Sequence, residues 1–331
     1  MASIGSPGLW SAFAAVILLM LLVDVFAIGR DAHRAMSVRT AAAWSAAWAA
    51  LALLFAGALW WFLDGSAGRG VANETTLAFL TAYLVEKSLA VDNVFVWLTL
   101  FGYFAIPPAL QKRVLVYGVL GAIVMRAAMI FGGVWLVATF HWLLYVFGAF
   151  LLVTGVKMWW LAGQQPDLDR NPLLRWLRRH LNLTPQLHGE RLFVRIERAG
   201  QLVRCATPLF LALVLVEATD LIFAVDSIPA ILAISTDPFI MLTSNVFAIL
   251  GLRSMYFLFA GAVDRFPLLK YGLALVLAFI GLKMILIDVV AIPIAASLAV
   301  VAGILGAALL LSRRRPGTLA GAAPGAGATH P

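Results

Sequence analysis

The sequence predicts an all-α membrane protein of about nine transmembrane helices, N-terminus out and C-terminus in, containing two inverted-topology three-helix repeats. Three observations carry that expectation: an apolar composition, nine stretches of span length, and one pattern of charges that occurs twice. Of 331 residues, 63% are hydrophobic and 12% charged, with a mean hydropathy of +0.97. A soluble domain is roughly 45–50% apolar and about 25% charged, so these residues cannot supply a solvated surface. The apolar excess also excludes disorder and collagen-like structure.

A helix needs about 20 largely apolar residues to cross the ~30 Å hydrocarbon core. The stretches that qualify are 9–29, 43–63, 76–101, 114–137, 141–161, 208–234, 239–262, 268–289 and 292–311. The opening MASIGSPGLW has no basic n-region, and the apolar run after it holds Asp24, so this run reads as the first span and not as a cleaved signal. Residues 1–74 then carry two spans, 75–161 the first repeat, 162–207 a basic loop, 208–289 the second repeat and 290–312 the ninth span. Residues 313–331 end in PGTLAGAAPGAGATHP, a low-complexity tail expected to be disordered.

Basic residues fix the orientation. The 162–207 loop holds Arg170, Arg175, Arg178, Arg179, Arg191, Arg195, Arg198 and Arg204, which places it in the cytoplasm. Alternation of nine spans then puts Arg30, Arg34, Arg39, Lys112, Arg113, Arg265, Lys270 and Arg313 to Arg315 on the same side, and only Arg69 outside. The net charge of +8 is thereby explained by orientation in the bilayer and calls for no nucleic acid. The loop reads as a tether with one amphipathic piece, ERLFVRIERAG. Cys205, the only cysteine, excludes an internal disulfide or thiolate cluster.

The repeat is written in charged residues. EKSLAVDNVFV from Glu86 matches TDLIFAVDSIPA from Thr219: Ala-Val-Asp recurs at 90–92 and 224–226, with an acid six residues earlier, Glu86 and Asp220. Arg126 matches Arg253, and Gly155-Val156-Lys157-Met158 matches Gly281-Leu282-Lys283-Met284. The offsets are 134, 127 and 126, so order is kept. Three spans per copy make the second copy enter from the opposite side, the architecture of many secondary transporters, whose site lies near the midplane where the copies meet.

Asp24, Glu86, Asp92, Glu217, Asp220 and Asp226 lie within spans, as do Lys87, Arg126, Lys157, Arg253 and Lys283. Each ionised side chain at mid-bilayer costs roughly 2.5–3.5 kcal/mol. Eleven unpaired would cost on the order of 30 kcal/mol, beyond a folding stability of about 5–15 kcal/mol. They must face one another, the bundle interior or a watery cavity. For the five cations and Asp24, locking helices together is an alternative to function; the two repeated acid clusters point to a site. Glu86 and Asn93 share a helix face, as do Asp220 and Ser227, and Glu217 adjoins Asp220. Asp92 and Asp226 fall about 120° away on an ideal helix. Pro229 frees the carbonyl of Val225, and local unwinding there would turn Asp226 toward Asp220; a plain kink is the alternative. Asn245 is open between ligand and helix-packing glue.

Carboxylates, amide, hydroxyl and carbonyl form an all-oxygen donor set suited to Mg²⁺, Ca²⁺ or Mn²⁺. The histidines, His33, His141, His180, His188 and His330, fall in loops, tails or span edges, which argues against Zn²⁺ or Cu⁺. No phosphate-cradling GxxxxGK[ST], HExxH or GxSxG motif occurs, so no enzyme is expected, nor a tightly bound cofactor.

EKSLAVDNVFVW, VEATDLIFAVDSIPAI and TSNVFAILGLRSMYFL resemble the hallmark segments of the TerC (tellurium-resistance C) family of integral membrane proteins, over roughly residues 75–290. The resemblance implies a multi-pass inner-membrane protein related to cation exporters, several linked to Mn²⁺ efflux. It implies Glu86, Asp92, Asn93, Glu217, Asp220, Asp226 and Ser227 as metal-site residues. Expected partners are the bilayer, a divalent ion and other membrane proteins. The expected function is export of a divalent cation, Mn²⁺ first. A scaffold for a translocon or metal-resistance complex is second, and export of an oxyanion or small organic solute third.

Overall fold

The computed structural model describes residues 3–29, 37–140, 142–161, 171–198, 201–260, 268–290 and 292–314; side chains at 24–29, 92, 161, 313 and 314 are excepted. The expectations for the Asp24 and Asp92 side chains, for Arg30, Arg34, Arg170, Arg265 and Arg315, for His33, His141 and His330, and for the tail from 315 concern positions outside that description. The protein is mostly helical: α1 (Pro7–Gly29), α2 (Val38–Ser66), α3 (Arg69–Tyr103), α4 (Pro108–Thr139), α5 (Leu143–Leu161), α6 (Pro172–His180), α7 (Pro208–Leu232), α8 (Pro238–Leu250), α9 (Leu252–Ala260), α10 (Leu269–Ile285) and α11 (Ile294–Arg314). Proline opens α4, α6, α7 and α8, at the position where its missing N–H costs nothing. The Asn171 and Asp237 side chains cap α6 and α8 by accepting from the first free backbone N–H groups.

Among the described residues six helical segments are long and apolar enough to cross a membrane: Val38–Ser66, Pro108–Thr139, Leu143–Trp160, Pro208–Leu232, Pro238–Ala260 and Ile294–Ser312. The 35-residue α3 is not one of them, because Arg69, Glu74, Glu86, Lys87 and Asp92 dilute its apolar character. Arg69 and Glu74 near its start are exposed, whereas Glu86 is buried where α3 packs among α2, α7, α8, α9, α10 and α11. Every residue of α8 from Phe239 to Leu250 is buried too. Large apolar side chains such as Trp61, Val124, Trp135 and Trp160 are exposed around the periphery, which suits lipid rather than water.

Sequence counterparts pack on one another. Helix α3 lies against α7, α4 against α8, and α5 against α10, while the cross pairs α4–α7 and α3–α8 are also both present. The α5–α10 contact is the closest. A Cβ on Gly148 would sit 2.9 Å from the Gly281 carbonyl, and one on Gly281 would sit 2.6 Å from the Leu152 nitrogen. A Cβ on Gly155 would lie 2.7 Å from the Ala274 carbonyl and 2.8 Å from the Ala278 nitrogen. The numbers rise on one helix as they fall on the other, so the helices run antiparallel. Shifting by the repeat offset of 126 turns the Gly148–Gly281 contact into the Gly155–Ala274 contact.

Within the 162–207 segment, read as a tether, the described residues from 171 onward form secondary structure. The segment contains α6 and a two-stranded antiparallel sheet, β1 (Phe193–Arg198) and β2 (Gln201–Ala206), paired from Phe193 with Ala206 to Arg198 with Gln201. The amphipathic piece forms β1, because Val194 and Ile196 alternate with Arg195 and Glu197 at the strand period. Thr207 fastens the sheet to the start of α7 by donating to the Arg191 carbonyl at 2.9 Å. At the opposite end of the bundle Asp237 accepts from Ser3 Oγ and the Ile4 N–H, both at 2.8 Å, and so seats the N-terminal segment on α8.

Gly281→Ala is expected to lower stability by roughly 1–3 kcal/mol through overpacking of α5 against α10. Gly57→Ala, where a Cβ meets nothing within 4 Å, should leave stability unchanged or raise it by about 0.5–1 kcal/mol. Thermal unfolding in detergent checks both.

Candidate functional site

The centre of the bundle is built around one guanidinium. Arg126 of α4 is 2% exposed and Glu86 of α3 fully buried, and Arg126 Nη1 donates to Glu86 Oε1 in a buried ion pair. The same nitrogen lies 3.3 Å from Ser227 Oγ of α7 and 3.3 Å from Asn245 Oδ1 of α8. Asn245 Nδ2 closes the network by donating to Glu86 Oε2 at 3.2 Å. One cation thus gathers a carboxylate, a hydroxyl and an amide oxygen from three helices. Asn245 is thereby hydrogen-bonded across helices to both members of the ion pair.

Beside this network lies a set of buried polar atoms whose bonds are not made. Both carboxylate oxygens of Asp220, Asn93 Oδ1, the Trp97 indole N–H and Arg126 Nε have no hydrogen-bond partner. Asp220 faces the Arg126 charge, Glu217 and Trp97, although Trp97 stands outside hydrogen-bond geometry. Asn93 and Trp97 lie one turn apart on the face of α3 that also carries Glu86. Glu217 is half-buried and packs on Gly121 of α4, where any side chain would collide with its carboxylate.

The remaining candidates are placed elsewhere. Helix α7 stays helical through Pro229 to Leu232, so Asp226 is not turned toward Asp220. It is half-buried and faces Thr154 and Lys157 of α5. Val225 is 44% exposed on the outer side of α7. Lys87 Nζ donates to the Ala248 carbonyl at 3.1 Å, near the end of α8. The single residue between α8 and α9 is Gly251, and a Cβ there would strike the Lys87 ammonium. Of the stretch 239–262, read as one span, the described residues through Ala260 belong to one apolar helical segment, Pro238–Ala260, with the Lys87 ammonium against its turn at Gly251. Lys283 donates to Ser297 Oγ of α11 at 3.0 Å, and Arg253 is buried in α9. Among the described residues no group of three His, Cys, Asp or Glu side chains is placed to hold a metal. Trp97 and Gly121 escaped sequence reading. Trp97 could have been found from its four-residue spacing after Asn93, whereas nothing local marks Gly121 as the partner of a carboxylate two helices away.

Fold and site together define a multi-pass helical membrane protein with an ionised, hydrogen-bonded core. The chain belongs to the TerC family: the model of the integral membrane protein TerC family matches residues 71–317, a span that contains every residue of this centre. The protein of Salmonella typhi named "Putative membrane-bound redox modulator Alx" is 58% identical over 312 residues, covering 94% of this chain and 96% of that one. The protein of that name in Escherichia coli K12 is 59% identical over 305 residues, covering 92% and 94%. "Uncharacterized membrane protein STKORF319" of Myxococcus xanthus is 48% identical over 310 residues, covering 94% and 93%. No solved structure matches the chain.

Glu86→Gln leaves the Arg126 charge buried without its carboxylate and is expected to cost about 3–5 kcal/mol. The double variant Glu86→Gln/Arg126→Gln should lie closer to the parent than either single one, as read by unfolding in detergent.

Proposed function

We propose that this protein exports a divalent cation, Mn²⁺ first, from the cytoplasm by alternating access of two inverted repeats, residues 75–161 and 208–289. The observation that carries the reading is the set of buried acceptors without donors: Asp220 Oδ1 and Oδ2 and Asn93 Oδ1. A buried acceptor lacking a partner costs about 1–3 kcal/mol, more when charged. A cation cancels that cost, and oxygen donors of this kind suit a hard ion. Glu217 beside Asp220 adds a second carboxylate within reach of water. Few protein ligands are what a transport site needs, since an ion that keeps several waters is also readily released. Asp92 completes the proposed set. Glu86 and Ser227 contribute through the Arg126 network, and Asp226 stands apart, facing Thr154 and Lys157 of α5. Arg253 and Lys283 balance the second repeat.

The reciprocal packing of α3 on α7, α4 on α8 and α5 on α10 supports two copies related by a two-fold axis in the membrane plane. The nine-span, N-out and C-in arrangement in the inner membrane, set by the basic residues, completes the reading. The ion is cargo, and the protein acts as a carrier and not as an enzyme. A thiol–disulfide role of its own has no second cysteine to use.

Purified protein in liposomes should move Mn²⁺, with Ca²⁺, Mg²⁺ and tellurite as competitors, assayed with and without a pH gradient. Asp220→Asn is expected to reduce flux at least ten-fold, and Asp226→Asn by less. Absence of flux from folded parent protein would leave the scaffold reading instead, and tellurite flux without Mn²⁺ flux would leave the oxyanion reading.

A further inference from the structure

Three of the unpartnered atoms belong to one ion pair that is not formed. Arg126 Nε is an unused donor, and Asp220 Oδ1 and Oδ2 are two unused acceptors. They are buried together, and the two charges face each other. Arginine binds carboxylate best through a two-nitrogen edge, yet here Nη1 is spent on Glu86, Ser227 and Asn245. Glu86 and Asp220 are the same position in the two repeats, 134 residues apart. A single arginine therefore stands between two equivalent acids, bonded to one and within the field of the other.

We infer that Arg126 is a tethered cation that moves from Glu86 to Asp220 when the ion site empties. The inference rests on the cation-export reading and adds how the empty carrier returns. With Arg126 held by Glu86, the buried Asp220 oxygens have no donor of their own and are left for cargo to bind. After release, a bare buried carboxylate would make reorientation costly, because an uncompensated charge in the low-dielectric interior is penalised by several kcal/mol. Arg126 swinging onto Asp220 through its Nε edge neutralises the site, and an incoming ion displaces it. Ser227 and Asn245, whose oxygens hold the guanidinium at Glu86, are the resting cradle and keep Glu86 hydrogen-bonded after departure through Asn245 Nδ2.

Two assays of the full-length protein in liposomes separate this role from a structural one. Exchange of internal for external radiolabelled Mn²⁺ needs only the loaded carrier to reorient, whereas net efflux also needs the empty one. Arg126→Gln is expected to lower net efflux at least ten-fold more than it lowers exchange. Should Arg126→Gln fail to fold, Arg126→Lys carries the test, its shorter single-nitrogen reach being unable to bridge both acids, and the same split is expected. Equal loss of both activities, or loss of neither, in whichever variant folds would overturn the handover while leaving cation export in place. If folded parent protein neither exchanges nor exports Mn²⁺, the cation reading fails and the handover falls with it.

Discussion

Burying an ion pair in a membrane interior calls for hydrogen-bond partners around it, and the Glu86–Arg126 pair with its partners spans four helices. Helix α3 supplies the carboxylate, α4 the guanidinium, α7 the Ser227 hydroxyl and α8 the Asn245 amide. Each of these side chains is fixed to a helix, so meeting the pair's needs fixes how the four helices meet. The arrangement of the bundle is in this sense a solution to a solvation problem. Apolar packing fills the space around it, with Trp97, Phe79, Phe101 and Phe247 among the largest fully buried side chains.

That solution is local, and the neighbouring polar atoms are left without one. Asp220 and Asn93 lie in the same interior as the satisfied pair, yet their acceptors are bare. A protein selected only for stability would gain from filling such positions with apolar groups or donors. The division runs through the arginine itself: Nη1 is bonded to Glu86, Ser227 and Asn245, whereas Nε, like Asp220 and Asn93 Oδ1, is buried without a partner. Lys87 shows the same division on the other side of α3. It spends its charge on a backbone carbonyl at the end of α8, where the helix dipole welcomes a cation.

The close glycine contact between α5 and α10 contributes differently. Lipid offers no hydrophobic drive for helices to associate, so backbone approach and dispersion hold such pairs. Gly148, Gly155 and Gly281 allow the backbones to meet at distances no side chain tolerates. This contact stands at the edge of the polar centre, with Asp226 and Lys157 on its flank.

Much of this was legible in the chain itself. Hydropathy and length located the helices, because hydrocarbon forces every backbone group to bond within its own segment. The recurrence of Glu86 and Asn93 as Asp220 and Ser227 pointed to residues of the centre, because charges are costly in a membrane, whereas Asp226 of the same pattern lies against α5 and the Asp92 side chain is outside the described residues. Strand β1 was legible only as amphipathic, since its period-two alternation gains meaning once β2 is there to pair. Tertiary structure alone decided the partners. Spacing places Asp226 on α7, but the packing of α5 sets it facing Thr154 and Lys157. It places Arg126 on α4, but the approach of α3, α7 and α8 gives it to Glu86 while withholding it from Asp220. Sequence determines which residues must be compensated, because the cost of a charge in hydrocarbon is paid by that residue wherever it sits. Which group does the compensating depends on distances between helices, and those are set only when the whole bundle has packed.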